Sequence, residues 1–240
     1  MRPAPDVPEA RTPAPAAADA HGIAWGSMEL PLFPLHVVLF PGRPLPLHLF
    51  EPRYRQMLRD CLDGDRRFGV VAIRSGREVG ATPEVCPVGT VAEIETVEEL
   101  ADGRFDILTR GRERFRIRQL LNDRAYLRAD VDLVREPPAE LMDRARGMLL
   151  RQLLVPYLAE LGAPAELLER VPRDPVALAW VAAAAAQVEL PEQQRILEID
   201  ELADRLVAAT RLLQREAAIK QHFGTVGSLR PSGPCGAELN

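Results

Sequence analysis

The sequence predicts an α+β protein, with a strand-rich first half forming a small antiparallel barrel or sandwich and a helical bundle after it. Three observations carry this reading. Before Pro137-Pro138 the chain consists of short apolar, β-branched segments broken by Gly, Pro and Asp. After Pro138 the apolar residues recur at helical spacing. The two ends, residues 1–27 and 224–240, show neither large apolar content nor periodicity, so burial cannot offset their ordering entropy. The expected organisation is a disordered tail over 1–27, a β domain over 28–136, a helical bundle over 137–223 and a flexible tail over 224–240.

The first element is the stretch "LPLFPLHVVLFPGRPLPLHLFEPRYRQML", Leu30 to Leu58, which sets six prolines among apolar side chains. Proline lacks an amide hydrogen and fixes φ, so a central strand cannot hold so many. The prediction is an edge strand or extended crossing that buries its side chains while making few ladder hydrogen bonds. Pro52 then opens a helix whose apolar face is Tyr54, Met57, Leu58 and Cys61, and Gly64 stops it.

Strands follow at Phe68–Arg74 and Val88–Val97, and at Phe105–Thr109 after the hairpin signal Asp102-Gly103. Arg110–Leu120 and Tyr126–Val134 complete the strand-rich half. In the helical half, Leu141, Ala145, Met148, Leu149 and Gln152-Leu153 share one face, and Pro156 is expected to kink or end that helix. Asp174 and Pro175 cap the next helix. "PEQQRILEIDELADRLVAATRLLQREAAIKQ" gives a short helix and then a long one, with Leu202, Leu206, Ala209, Leu213 and Ala217 inward.

Composition narrows the function. The apolar content of 47% suffices for a core, while the net charge of −5 disfavours a general nucleic-acid or anionic-membrane binder. Cys61, Cys86 and Cys235 form no CxxC pair, which suits a reducing compartment. No apolar run reaches the ~20 residues of a membrane span, and the N-terminus does not read as a secretory signal. A cytoplasmic protein is expected.

"LPLFPL" (Leu30–Leu35), "FPGRPLPLHLFEPRYRQM" (Phe40–Met57), "RRFGVV" (Arg66–Val71), "VGTVAEI" (Val88–Ile94) and "DGRFDILTRGRERFRI" (Asp102–Ile117) run in order. With "PEQQRILEIDELADRL" they resemble the N-terminal, substrate-binding domain of Lon proteases over about residues 28–222. The resemblance implies a PUA-like β-barrel joined to a helical bundle, a β-domain type shared with cereblon-like adaptors. It implies a stand-alone protein of the bacterial type, without the ATPase and serine–lysine protease domains of a complete Lon. The residues agree. There is no GxxxxGK[ST], and the single lysine, Lys220, has no glycine loop beside it. Of the four serines, Ser27, Ser228 and Ser232 lie in or beside the tails, and Ser75 stands in an apparent turn outside any nucleophile elbow. No enzymatic activity and no cofactor is expected.

Two surfaces are candidates for binding. Phe50, Glu51, Arg53, Tyr54 and Arg55 combine an apolar strip with a charged rim beside the proline-rich strand, the composition of a polypeptide-docking surface. The same motif also serves simply to anchor the helix. Arg110, Arg112, Arg114, Arg116 and Arg118 recur at every second position and, in a strand, project from one face. That face is either an anion or RNA platform or a solvated row paired with Glu93, Glu95 and Asp106. His36 and His48 lack a zinc-site spacing and read as structural hydrogen-bonding groups; no metal is expected. The primary expectation is recognition of unfolded or degron-bearing polypeptides. RNA binding through the arginine face, or regulation of a full-length Lon protease, are the alternatives.

Overall fold

A computed structural model describes residues 28–75, 83–136 and 138–223. The two expected tails, with Ser27, Ser228, Ser232 and Cys235, lie outside these residues. Among the described residues the seven strands are β1 (Met28–Leu35), β2 (Pro44–Leu49), β3 (Arg67–Ser75), β4 (Glu84–Val85), β5 (Val88–Glu99), β6 (Phe105–Leu121) and β7 (Arg128–Val134), with helix α1 (Pro52–Asp63) after β2. The helical half holds α2 (Leu141–Glu160), α3 (Ala165–Glu169), α4 (Pro175–Ala185), α5 (Leu190–Leu197) and α6 (Leu202–Phe223). The α+β class expected from periodicity is the class observed.

The prolines of β1 are accommodated in a way that corrects the sequence expectation. Met28–Pro31 pair antiparallel with β7, and Leu32–Leu35 then pair parallel with β3. Each half therefore carries a ladder on one side only, the condition under which a strand tolerates missing amides. The strand is not an edge throughout; its change of partner closes the ring β1–β7–β6–β5–β3. The edge role falls to β2, which pairs only with the first half of β6.

Inside the barrel Phe115 packs over two strand glycines. A Cβ on Gly69 or on Gly89 would lie 2.6 Å from its ring, and one on Gly89 would also meet the Val70 carbonyl oxygen at 2.5 Å. Only glycine fits such an approach. Around Phe115 lie Leu30, Leu32, Val71, Val91 and Val131.

Helix α1 buries the face its spacing predicts: Tyr54, Met57, Leu58 and Cys61 pack with Phe33, Phe68 and Phe105. Gly64 ends the helix by donating to the Cys61 carbonyl, but the left-handed backbone conformation falls on Arg66, at φ 62°. Asp174 caps α4 by accepting from the Ala177 amide at 2.8 Å. Leu202, Leu206, Ala209 and Leu213 of α6 are buried, as predicted.

Pro156 does not end helix α2, and the face that the helix buries departs from prediction. The helix continues through Pro156 to Glu160, and its buried face is Asp143, Gly147, Leu150, Leu154 and Tyr157. The predicted face points outward. The two halves of the chain share one core, in which Val38, Phe40, Ala72, Cys86 and Val88 meet Leu150, Leu154, Trp180 and Leu206.

Candidate functional site

Two segments bring polar and apolar groups together at the surface of the β half: the β2–α1 junction and the long strand β6. At the junction, Glu51 lies just before α1 in an extended conformation, and Pro52 occupies the first helical position, where its missing amide costs nothing. Arg53 Nε donates to Glu51 Oε2 at 3.0 Å, and its guanidinium lies 4.5 Å above the Tyr54 ring. Arg55 Nη1 donates to the Gly103 carbonyl at 3.0 Å, which ties the helix to the β5–β6 turn.

These contacts divide the predicted set. Tyr54 is a core residue, 5% exposed, with its ring edge-on to Phe33 at 4.2 Å. It cannot touch a docked chain while α1 is seated. Phe50 is 52% exposed, and Glu51, Arg53 and Arg55 are half-buried beside it, the first two paired with each other and Arg55 anchored on Gly103.

Sequence reasoning missed a groove that is lined by His48, whose ring stacks on Phe50. A cavity of about 620 Å³ lies along β2, β5 and β6, lined by Pro46, Leu47, His48, Val97, Glu98 and Asp106. His48, predicted to be structural, accepts or donates at both ring nitrogens. Its Nδ1 is 2.6 Å from Asp106 Oδ1, and its Nε2 is 3.2 Å from Arg104 Nη1. Arg104 Nε in turn donates to Asp102 at 2.6 Å. The backbone N–H of Arg104 is the main cause holding the Asp102 carboxyl below its ordinary range, with the guanidinium adding to it. The His48 ring stacks beside Phe50 at 6.2 Å, so this polar chain orients the exposed aromatic. The signal was present in the sequence as His48 two residues before Phe50, but its partners, Arg104 in the β5–β6 turn and Asp106 in β6, lie more than fifty residues away.

The arginine row does not form one face. A β-bulge between Gly111 and Arg114 breaks the alternation of β6. Arg110 pairs with Glu95 at 2.5 Å, Arg112 with Glu93, Arg116 with Asp200 at 2.5 Å and Arg118 with Asp132 at 2.5 Å. Asp106 partners His48 instead. Arg114 is fully buried against the helical half. Its Nε donates to Glu136 at 3.0 Å, and its Nη1 donates to the carbonyls of Leu197 at 2.8 Å and Ile199 at 3.0 Å. Buried Arg205 also pairs with Glu136 and lies 3.9 Å from the Trp180 ring. Burial lowers the Arg205 pKa, with Glu136 opposing that shift. Each arginine of the row thus has a carboxylate partner, and one of them is interior.

Ser75 ends β3 and donates to Glu84 at 2.8 Å. Among the described residues no group of His, Cys, Asp and Glu could hold a metal ion, and no helix is long and apolar enough to cross a membrane.

Comparison with known proteins places these features in a wider set. A family model described as the ATP-dependent protease La (LON) substrate-binding domain matches residues 29–215. The chain is 31% identical over 198 residues to Lon protease 2 of Myxococcus xanthus, covering 79% of this chain and 24% of that protein. It is 27% identical over 203 residues to the Lon protease of Escherichia coli K12, covering 81% of this chain and 26% of that one. The chain therefore spans about a quarter of the length of the curated relatives it matches. A crystal structure of a Lon N-terminal domain protein from Xanthomonas campestris superposes with a TM-score of 0.57 at 26% identity, covering 75% of this chain and 95% of that one. The N-terminal domain of the Mycobacterium avium complex Lon protease superposes at 0.65 with 20% identity, over 78% and 98%, a likeness of fold.

Proposed function

Because the chain belongs to the Lon substrate-binding domain family, we propose that it recognises polypeptides, specifically unfolded or degron-bearing ones, without acting on them chemically. The observation that carries this reading is the exposed Phe50, held beside the β2–β5–β6 groove by the His48 chain. A client's apolar side chain entering the groove covers Leu47 and Val97, a neighbouring one packs on Phe50 beyond His48, and full burial of one large side chain contributes about 1.5–3 kcal/mol. Glu51, Arg53 and Arg55, already paired or anchored, frame the site without presenting a lone charge that would have to be desolvated. Strand addition to β2 is limited, because Pro44 and Pro46 offer no amide. Binding by so small a surface is expected to be weak, about micromolar.

In this reading the chain works in a reducing cytoplasm, where buried Cys61 and Cys86 stay as thiols. It serves as an adaptor or as a regulator of a full-length Lon protease. The arginine row gives RNA binding no support, since its charges are already matched. A photo-reactive amino acid at position 50 tests the proposal. Crosslinks to an added unfolded protein, absent with its folded form, are expected; crosslinks to RNA alone, or none, would overturn it.

A further inference from the structure

The outward face of α2 is unusually apolar. Leu141 is 85% exposed, Met148 67%, Met142 61% and Leu149 61%. Monomeric surfaces seldom gather large apolar side chains on one ridge without a partner to cover them. The ridge is flanked by two hollows. Met148 borders a cavity of about 580 Å³ with Arg151, Val155, Pro156 and Arg173. Leu149 borders one of about 260 Å³ with Arg146, Leu206, Val207 and Arg211. Each hollow is lined by two arginines and no carboxylate.

Two of the nearby acids are already engaged. Asp143 accepts from the Glu140 amide at 3.1 Å and from Arg146 at 3.2 Å, and Asp174 caps α4. Arg144, Arg151, Arg173 and Arg211 have no carboxylate partner among the described residues. This is the reverse of β6, where every arginine is paired.

We infer that the α2 face docks an acidic amphipathic helix of a partner protein. The geometry selects a helix over an extended segment. The backbone amides of α2 beyond its first turn are consumed within the helix, so an extended peptide would find no ladder here, whereas a helix brings its own bonds satisfied. Anchors at 141/142 and 148/149 are two turns apart, roughly 10 Å, a spacing that leucines on a second helix can match. Charge selects the partner's sign. Glutamates flanking an apolar stripe would meet the four unpaired arginines, while a second copy of this chain would set arginine against arginine. This surface is separate from the client groove and stands or falls independently of that reading.

The test is fluorescence anisotropy with two dye-labelled synthetic helical peptides sharing one leucine stripe, one flanked by glutamates and the other by lysines. The glutamate peptide is expected to bind the wild-type chain saturably and the lysine peptide not to bind. Leu149→Asp should weaken binding about tenfold or more. The double variant Arg173→Glu/Arg211→Glu should lose the acidic peptide and gain the basic one. All these residues are exposed or at the rim, so the fold is retained. Equal binding of both peptides, no binding of either, or unchanged binding in the variants would overturn the proposal. So would a stable dimer in sedimentation that Leu149→Asp dissociates.

Discussion

Arg114 donates from the bulged middle of β6 to the carbonyl of Leu197 at the end of α5, 2.8 Å away. The last carbonyls of a helix lack intrahelical donors and carry the negative end of its dipole, so a guanidinium there satisfies both needs. With Glu136 and Arg205 it forms a buried ionic group against Trp180, joining barrel to bundle.

Replacing Arg114 with methionine leaves Glu136 with one fewer partner and removes the Arg114 donor from the Leu197 carbonyl of α5, while the Ile199 carbonyl keeps its bond from Arg205. The expected loss is about 3–5 kcal/mol in urea unfolding, the range for breaking a buried pair. Lysine should rescue only part of it, because it lacks the planar fork that reaches two carbonyls and a carboxylate together.

Arg110→Gln should behave in the opposite way. Its pair with Glu95 is part-exposed, so the expected change in stability is below about 1 kcal/mol. A loss as large as that of Arg114 would mean that the row acts as one unit.

Phe50 and Tyr54 separate binding from folding. Tyr54→Ala removes a buried aromatic and is expected to cost about 3–5 kcal/mol in urea unfolding. Phe50→Ala should leave the unfolding midpoint within error and weaken client binding.

Burial pushes the Cys61 thiol up to about 12, with Asp65 and Asp60 adding to the shift. An unfolded thiol ionises near ~8.5, so the folded state is the one that keeps its proton. The stability from this difference is therefore fully present below ~8.5 and is lost as pH rises from there through about 12. In a Cys86→Ala/Cys235→Ser variant, where Cys61 is the one thiol left, a thiol reagent at pH 9 should label it only at the rate at which the fold opens. Immediate labelling would place the thiol at the surface.

Most strand segments were legible as short β-branched apolar runs, although the two read at 105–109 and 110–120 are one strand, β6, and α1 was legible because its four buried residues fall on one helical stripe. What failed was non-local. The partner change of β1 depends on β3 and β7, which meet it from distant parts of the chain. The face of α2 was misread because the helix carries two stripes. The outer one has the larger side chains, but the inner one contains Gly147, which lets Pro175 of α4 come so close that a Cβ would lie 3.0 Å from it. Packing, not hydrophobicity, chose between them. The Phe50 side of the candidate site could be read from composition, whereas Tyr54 was claimed by the core and the groove needed β5 and β6 in place.

The most direct test is a titration of the purified chain against one client protein in its unfolded and its folded form, repeated with Phe50→Ala. Tighter binding to the unfolded form, weakened about tenfold by the substitution, is expected. Equal affinity for the two forms, or a preference untouched by Phe50→Ala, would contradict recognition at this surface.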